Sequence, residues 1–255
     1  MFMDEPILWK FFEFPFVILF DQTVLFFFIF LYVKSIYVTY SLNTTLINPS
    51  SNSAPKNIVI LCHGYGGDGK DISVLANYWK NFLPETLFAC PNAPEICKVN
   101  PSGFQWFDLM DQSEDEILSK SLIAERKLNL FISEIANKNK VKDKDIALVG
   151  FSQGCMISLQ TGIKRKNEIA CVLGYSGKVI NIEHLKKNIN SRPKIYLMHG
   201  DIDQVVPVNS LLESKHFFEQ NDYQISTKIF QQCEHRIPNE GLSIGLEFLK
   251  KNLTK

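Results

Sequence analysis

From residue 57 onward, short apolar, β-branched runs alternate with longer helix-like stretches. That alternation predicts an α/β fold, a mostly parallel central sheet with helices on both faces. Two further observations agree. The sequence Gly150-Phe151-Ser152-Gln153-Gly154 lies between a strand-like and a helix-like run, and candidate acids and a candidate His follow it, each just past another strand-like run. Open α/β sheets collect their chemistry at the carboxyl ends of their strands.

The predicted strands are Asn57–Cys62, Thr86–Ala89, Asp145–Val149, Ile169–Gly174, Lys194–His199 and Gln224–Phe230. The polar stretch Ser50 to Pro55 reads as a loop leading into the first of them. After it, Gly64 to Gly69 is a glycine-rich turn, with Asp71 expected to cap a helix over Ile72 to Phe82. Ser113-Glu114-Asp115-Glu116 reads as the acidic first turn of a helix running to about Asn137, where the helix dipole favours negative charge. Lys138 to Lys144 is a charged turn. Cys155 to Gln160 begins the helix after the G-x-S-x-G sequence, and His235-Arg236-Ile237-Pro238 opens onto the last helix.

A G-x-S-x-G sequence between strand and helix is a turn so tight that the positions two before and two after the Ser must be nearly side-chain-free. Such an elbow lifts the Ser152 hydroxyl above the sheet at a helix N-terminus. A Ser hydroxyl is a poor nucleophile without a positioned base, and in elbow-type enzymes the acid and then the His follow the Ser in the chain. His235 is the candidate base. For the acid, Asp201 and Asp203 both stand just beyond Lys194–His199, and the residues alone do not choose between them.

The ordered motifs resemble the phospholipase/carboxylesterase branch of the α/β-hydrolases, which includes the acyl-protein thioesterases. They are Leu61 to Gly69, Cys90 to Pro94, Trp106 to Asp108, Gly150 to Gly154, His199 to Asp203 and His235 to Pro238, so the resemblance runs from about Ile58 to the C-terminus. It implies an α/β-hydrolase fold and a serine esterase acting on a small acyl ester or thioester, with Ser152 as nucleophile, Asp203 as acid and His235 as base. It also implies an oxyanion hole made by the backbone N–H groups of Tyr65 and Gln153. No metal or organic cofactor is implied. Two departures stand out. Glu234 replaces the Gly that relatives carry before the His, so the loop is expected to run differently or to add negative charge beside the imidazole. Cys62 and Cys155 replace Leu, Gly or Ala and are expected to alter packing near the nucleophile.

Other features point elsewhere or nowhere. Gly64 to Gly69 followed by Lys70 fits the opening of a phosphate-binding loop, but Asp71 stands where a metal-holding Ser or Thr belongs and would repel phosphate. His63 and His199 each end an apolar run before Gly, and without metal-ligand spacing they read as satisfied turn histidines. Trp106 and Phe107 suit either an acyl pocket or packing beneath a long loop. Twenty-seven basic and twenty-seven acidic residues balance, with no basic stretch for nucleic acid. The six Cys fall mostly in apolar runs, as reduced thiols of a cytosolic protein do. Two other function classes fit the pattern: a membrane-associated lysophospholipase, and a non-catalytic binding module that would be expected to have lost a triad residue.

The first 35 residues form a separate, Phe-rich extension ahead of a catalytic domain over 36–255. Half of the twenty Phe precede residue 31, and Phe14 to Val33 is apolar apart from Pro15, Asp21, Gln22, Thr23 and Tyr32. About 20 residues suffice to cross a bilayer core, whereas Asp21 at mid-span would cost about 3 kcal/mol. The segment lacks the basic start and small-residue cleavage site of a secretory signal. It reads as a membrane anchor, with the catalytic domain on the cytoplasmic side, or as an extension foreign to the native protein.

Overall fold

The computed structural model describes residues 40–110 and 113–253. The apolar segment 14–33 therefore lies outside the described residues. Nine strands are described: β1 (Thr44–Ile47), β2 (Asn57–Cys62), β3 (Thr86–Pro91), β4 (Glu95–Ile96), β5 (Phe104–Gln105), β6 (Ile146–Phe151), β7 (Cys171–Tyr175), β8 (Lys194–Gly200) and β9 (Ile225–Phe230). The helices are α1 (Gly69–Trp79), α2 (Glu114–Asn139), α3 (Gln153–Lys164), α4 (Ile182–Lys186), α5 (Asn209–Gln220) and α6 (Asn239–Leu253).

Seven strands form one sheet in the order β1-β3-β2-β6-β7-β8-β9, parallel throughout except for β1, which runs antiparallel to β3. All six predicted strands are present, and the sheet is mostly parallel as the alternation predicts. β1 and the small β4–β5 hairpin were not expected. β1 has only four residues, mostly half-buried, and its partner is supplied from more than 40 positions away, so no local pattern marks it. The chain steps outward from β2 to β3 and then returns to place β6 on the other side of β2. That reversal makes the carboxyl ends of β2 and β6 a crevice suited to a ligand.

The inner strands are apolar on both faces because both are covered, whereas the edge strands β1 and β9 are mostly half-buried. Ile58, Ile60 and Cys62 of β2 join Ile146 and Leu148 of β6 in a core beneath α2, α3 and α5. Val59 and Leu61 join Ala147 and Val149 in a second core beneath α1 and α6. Trp79, Phe131 and Phe218 are fully buried anchors of these layers, and burying side chains of this kind contributes about 1.5–3 kcal/mol each.

The helix starts follow side-chain chemistry. Ser113 caps α2 in a capping box with Glu116, and α2 ends at Lys140, which adopts a left-handed φ of 56°. The first helix differs from expectation. Its cap is Asp68, whose carboxylate accepts from Asp71 N–H at 2.7 Å, so α1 begins at Gly69 and the Asp71 side chain is not the cap. Gly69 is what permits the earlier start, because any Cβ there would collide with the Cys90 carbonyl.

Candidate active site

Ser152 sits at the junction of β6 and α3 with φ 54° and ψ −119°, a conformation that costs a non-glycine residue energy. Packing enforces it. A Cβ on Gly150 would strike the Gly154 carbonyl, and a Cβ on Gly154 would strike the carbonyls of Cys62 and His63. Ser152 N–H donates to Tyr175 O at 2.8 Å, which ties the elbow to β7. The helix after the elbow thus rests directly on the end of β2.

The turn leaving β2 is shaped by His63. Its Nδ1 lies 2.7 Å from Gly64 O, and its Nε2 accepts from Ala93 N–H at 2.9 Å, so the proton resides on Nδ1. Burial lowers its pKa, in keeping with a neutral ring. The Trp106 indole N–H donates to His63 O at 3.0 Å, and Trp106 is fully buried. A Cβ on Gly64 would come within 3.4 Å of Ser152 Cβ, which shows how closely this turn approaches the elbow. Neither the Tyr65 N–H nor the Gln153 N–H has a hydrogen-bond acceptor among the described residues. The Gln153 side chain has a second job: its Oε1 accepts from Trp106 N–H at 2.9 Å, and its amide donates to Phe107 O at 2.6 Å. The Gln following the Ser therefore pins the Trp106-Phe107 strand end beside the elbow, a role its place in the motif did not reveal.

The candidate acid and the candidate base come from the ends of β8 and β9. Asp203 Oδ2 lies 2.7 Å from His235 Nδ1, while its Oδ1 accepts from the N–H groups of Val205 and Val206, both at 2.9 Å. Burial pushes the Asp203 pKa up, but the donors from His235, Val206 and Val205 outweigh it and the net shift is downward. Asp201 turns elsewhere and accepts from Cys233 N–H at 3.2 Å, bracing the loop that carries His235. The His235 ring packs against Phe151, the neighbour of Ser152, with centroids 4.9 Å apart and the ring planes tilted by 44°. Its side chain is 18 % exposed, whereas that of Asp203 is fully buried.

The two departures from the family pattern are absorbed differently. Glu234 is solvent-exposed, and among the described residues it forms no ion pair or side-chain hydrogen bond with His235, while its carbonyl accepts from Arg236 N–H. Cys155 fits because Gly174 and Gly177 leave room; a Cβ on either would collide with it. All six cysteines are free and buried, and burial raises the thiols of Cys62, Cys155 and Cys171 to about 12.

A cavity of about 340 Å³ opens over Ser152. Phe107, Ile117, Met156, Val206 and Pro207 supply apolar wall, and Glu114 and Lys178 supply charge. Phe107 is thus a cavity residue, whereas its neighbour Trp106 is packing. Ile117 and Met156 escaped the sequence reading because each lies on the buried face of a helix, where an apolar residue looks like ordinary core. Met156 lies four positions after Ser152, one helical turn along the face that follows the elbow.

Comparison with known proteins adds to this geometry. Acyl-protein thioesterase 1 of Kluyveromyces lactis is 26 % identical over 228 residues, covering 81 % of this chain and 97 % of that one. Its Saccharomyces cerevisiae counterpart is 28 % identical over 217 residues, covering 78 % and 94 %. The crystal structure of esterase PE8 superposes with a TM-score of 0.80 at 33 % identity, covering 83 % of this chain and 99 % of the other. The profile of the phospholipase/carboxylesterase family matches residues 44–253, earlier in the chain than the motifs had indicated. That range runs from the first residue of β1 to the last of α6, and with the whole described sheet inside it the chain belongs to the phospholipase/carboxylesterase family and is a carboxylic ester hydrolase.

Proposed function

We propose that Ser152, Asp203 and His235 work as a triad that hydrolyses a carboxylic ester or thioester through an acyl-enzyme. The observation that supports this reading is the 2.7 Å Asp203–His235 contact, with the imidazole against Phe151, the residue before the strained Ser152. His235 Nε2 takes the Ser152 proton as Oγ attacks the acyl carbon, and the carbonyl oxygen becomes an oxyanion. Asp203 keeps the proton of the neutral ring on Nδ1 and stabilises the imidazolium. The unpaired N–H groups of Tyr65 and Gln153 are the oxyanion donors; each such donor is typically worth about 100- to 1000-fold in rate. His235 gives its proton to the departing alcohol or thiol oxygen or sulfur. It then takes a proton from water, whose oxygen attacks the acyl-Ser152 carbon, and returns that proton to Ser152 as the carboxylic acid leaves.

The cavity bears on the acyl group. Its largely apolar walls, Phe107, Ile117, Met156, Val206 and Pro207, suit an aliphatic acyl chain. The thioesterase relatives put thioesters among the substrates to be tried, and the triad chemistry serves oxygen esters equally. The catalytic unit is the stretch covered by the family match, with residues 1–35 an addition to it.

The test combines labelling and turnover. A fluorophosphonate probe is expected to modify Ser152 alone, read by intact mass and peptide mapping, and Ser152→Ala is expected to abolish both the adduct and hydrolysis. Acyl esters, acyl thioesters and lysophospholipids of increasing chain length then identify the preferred class and chain length. An adduct that persists in Ser152→Ala defeats the mechanism.

A further inference from the structure

His199 is the next-to-last residue of β8, and its ring is buried near Asp203. Its Nε2 lies 2.7 Å from the Val206 carbonyl oxygen and 3.4 Å from Asp203 Oδ2. Both neighbours are acceptors, so Nε2 carries the ring proton and Nδ1 is a bare lone pair. That Nδ1 is buried and without a hydrogen-bond partner among the described residues. A satisfied turn histidine would use both nitrogens. Here one is left orphaned at a cost in stability, a cost an aliphatic side chain of similar size would avoid. The exchange makes sense only if the single donor is needed.

What it holds is the turn from Asp203 to Val206. The Val206 N–H donates to Asp203 Oδ1 while the Val206 carbonyl accepts from His199, so this residue is gripped on both sides of its peptide units. Asp203 thereby faces the Val205 and Val206 amides on one oxygen, and His235 with the more distant His199 on the other. The ionisable groups whose charge acts on His199 are Asp203 and His235, while Asp201 is engaged with the Cys233 amide. We propose that His199 is a positioning residue: through its Nε2–H it fixes the Asp203–Val206 turn, so that the Asp203 carboxylate stays aligned with His235 Nδ1. This rests on the triad reading above and assigns no contact with substrate.

The experiment compares three variants of the full chain. In His199→Gln the amide nitrogen reaches the place of Nε2; in His199→Asn it falls short; His199→Leu has no donor. Three measurements are made: kcat on a short soluble ester, the melting temperature, and the low-field NMR resonance of the His235 Nδ1 proton, which reports its bond to a carboxylate without any substrate. Asn and Leu are expected to lose about 10- to 100-fold in kcat, the range typical when an orienting partner is removed, with the resonance shifted or broadened by exchange. Gln is expected to restore most of both. Wild-type kcat and resonance in Leu, or a Gln variant as impaired as Asn, overturns the proposal. If Leu fails to fold, the Gln–Asn pair decides. Should the wild type hydrolyse nothing, the triad reading falls by itself, and a resonance unchanged in Asn and Leu, or missing from the wild type, still overturns the role given to His199.

Discussion

The elbow that carries Ser152 and the two loops that carry Asp203 and His235 hold their side chains by different physics. At the elbow the constraint is steric and belongs to the backbone. Gly150 and Gly154 lie against carbonyls that leave no space for a Cβ, and Ser152 is forced to a positive φ by its neighbours in sequence and by the end of β2. In the acid and base loops the constraint is polar. Asp203 and His235 are 32 positions apart, and what aligns them is a set of hydrogen bonds that converge on one carboxylate. A steric constraint fails through strain and unfolding; a polar one fails through loss of alignment while the fold survives.

That contrast leads to opposite signatures on mutation. Asp203→Asn keeps the shape of the loop but leaves His235 Nδ1 beside an amide, which favours the wrong tautomer. We expect kcat to fall about 10,000-fold with the melting temperature little changed, an increase of about 5 kcal/mol in the barrier. Asp201→Asn, measured in parallel, is expected to do far less because Asp201 braces only the Cys233 amide. If the two exchange severity, the polar half of the comparison is wrong.

The converse case is Gly154→Ala. The new methyl group meets the backbone of Cys62 and His63, which has no room to yield. A loss of about 1–3 kcal/mol in stability is expected, seen as a lower melting temperature, together with slower fluorophosphonate labelling of Ser152. A variant that melts like the wild type would show that the elbow is not set by sterics.

A smaller effect is expected from pH. His63 and His199 are buried, and burial lowers both pKa values, so both rings are neutral in the fold. In the unfolded chain they take up protons below about 6.5. The unfolded state then binds more protons than the folded one, so stability is lost as pH falls from about 6.5 toward the lowered folded values. Asp203, whose folded pKa is also lowered, adds a further loss below about 3.9. Melting temperatures taken between pH 8 and pH 5 test the first window, and a rise on acidification contradicts it.

The smallest effect is expected from removing residues 1–35. Both kinds of constraint are made entirely by residues beyond Tyr40, so hydrolysis of a small soluble ester should be unchanged. A truncated protein that aggregates or loses this activity would place the segment within the folded core. One that stays active but no longer sediments with membranes would identify an anchor.

These two halves of the site were unequally legible in the amino-acid sequence. The elbow could be read because its requirements are local: a strand-forming run, two glycines flanking Ser152 and a helix-forming run. The five internal strands were legible for the same reason, since burial on both faces makes each a largely apolar run, and the half-buried edge strand β9 was marked by its Ile225, Ile229 and Phe230. β1 was hidden, being four residues whose partner lies far away. The choice of Asp203 over Asp201 came from family resemblance, because either carboxylate satisfies the chain order; their separation appears only where Val205 and Val206 fold back on one of them.

By itself the sequence determined the strand and helix alternation, the tight turn that carries Ser152 and the absence of a charge bias toward nucleic acid, since each depends on neighbours within a few positions or on totals. Tertiary structure alone decided which acid meets His235, that Gln153 ties Trp106 and Phe107 to the elbow, and that His63 and His199 brace opposite sides of the site. Those contacts join groups between 7 and 47 positions apart, and side-chain hydrogen bonds of that kind leave no periodic mark in a chain for a local pattern to detect.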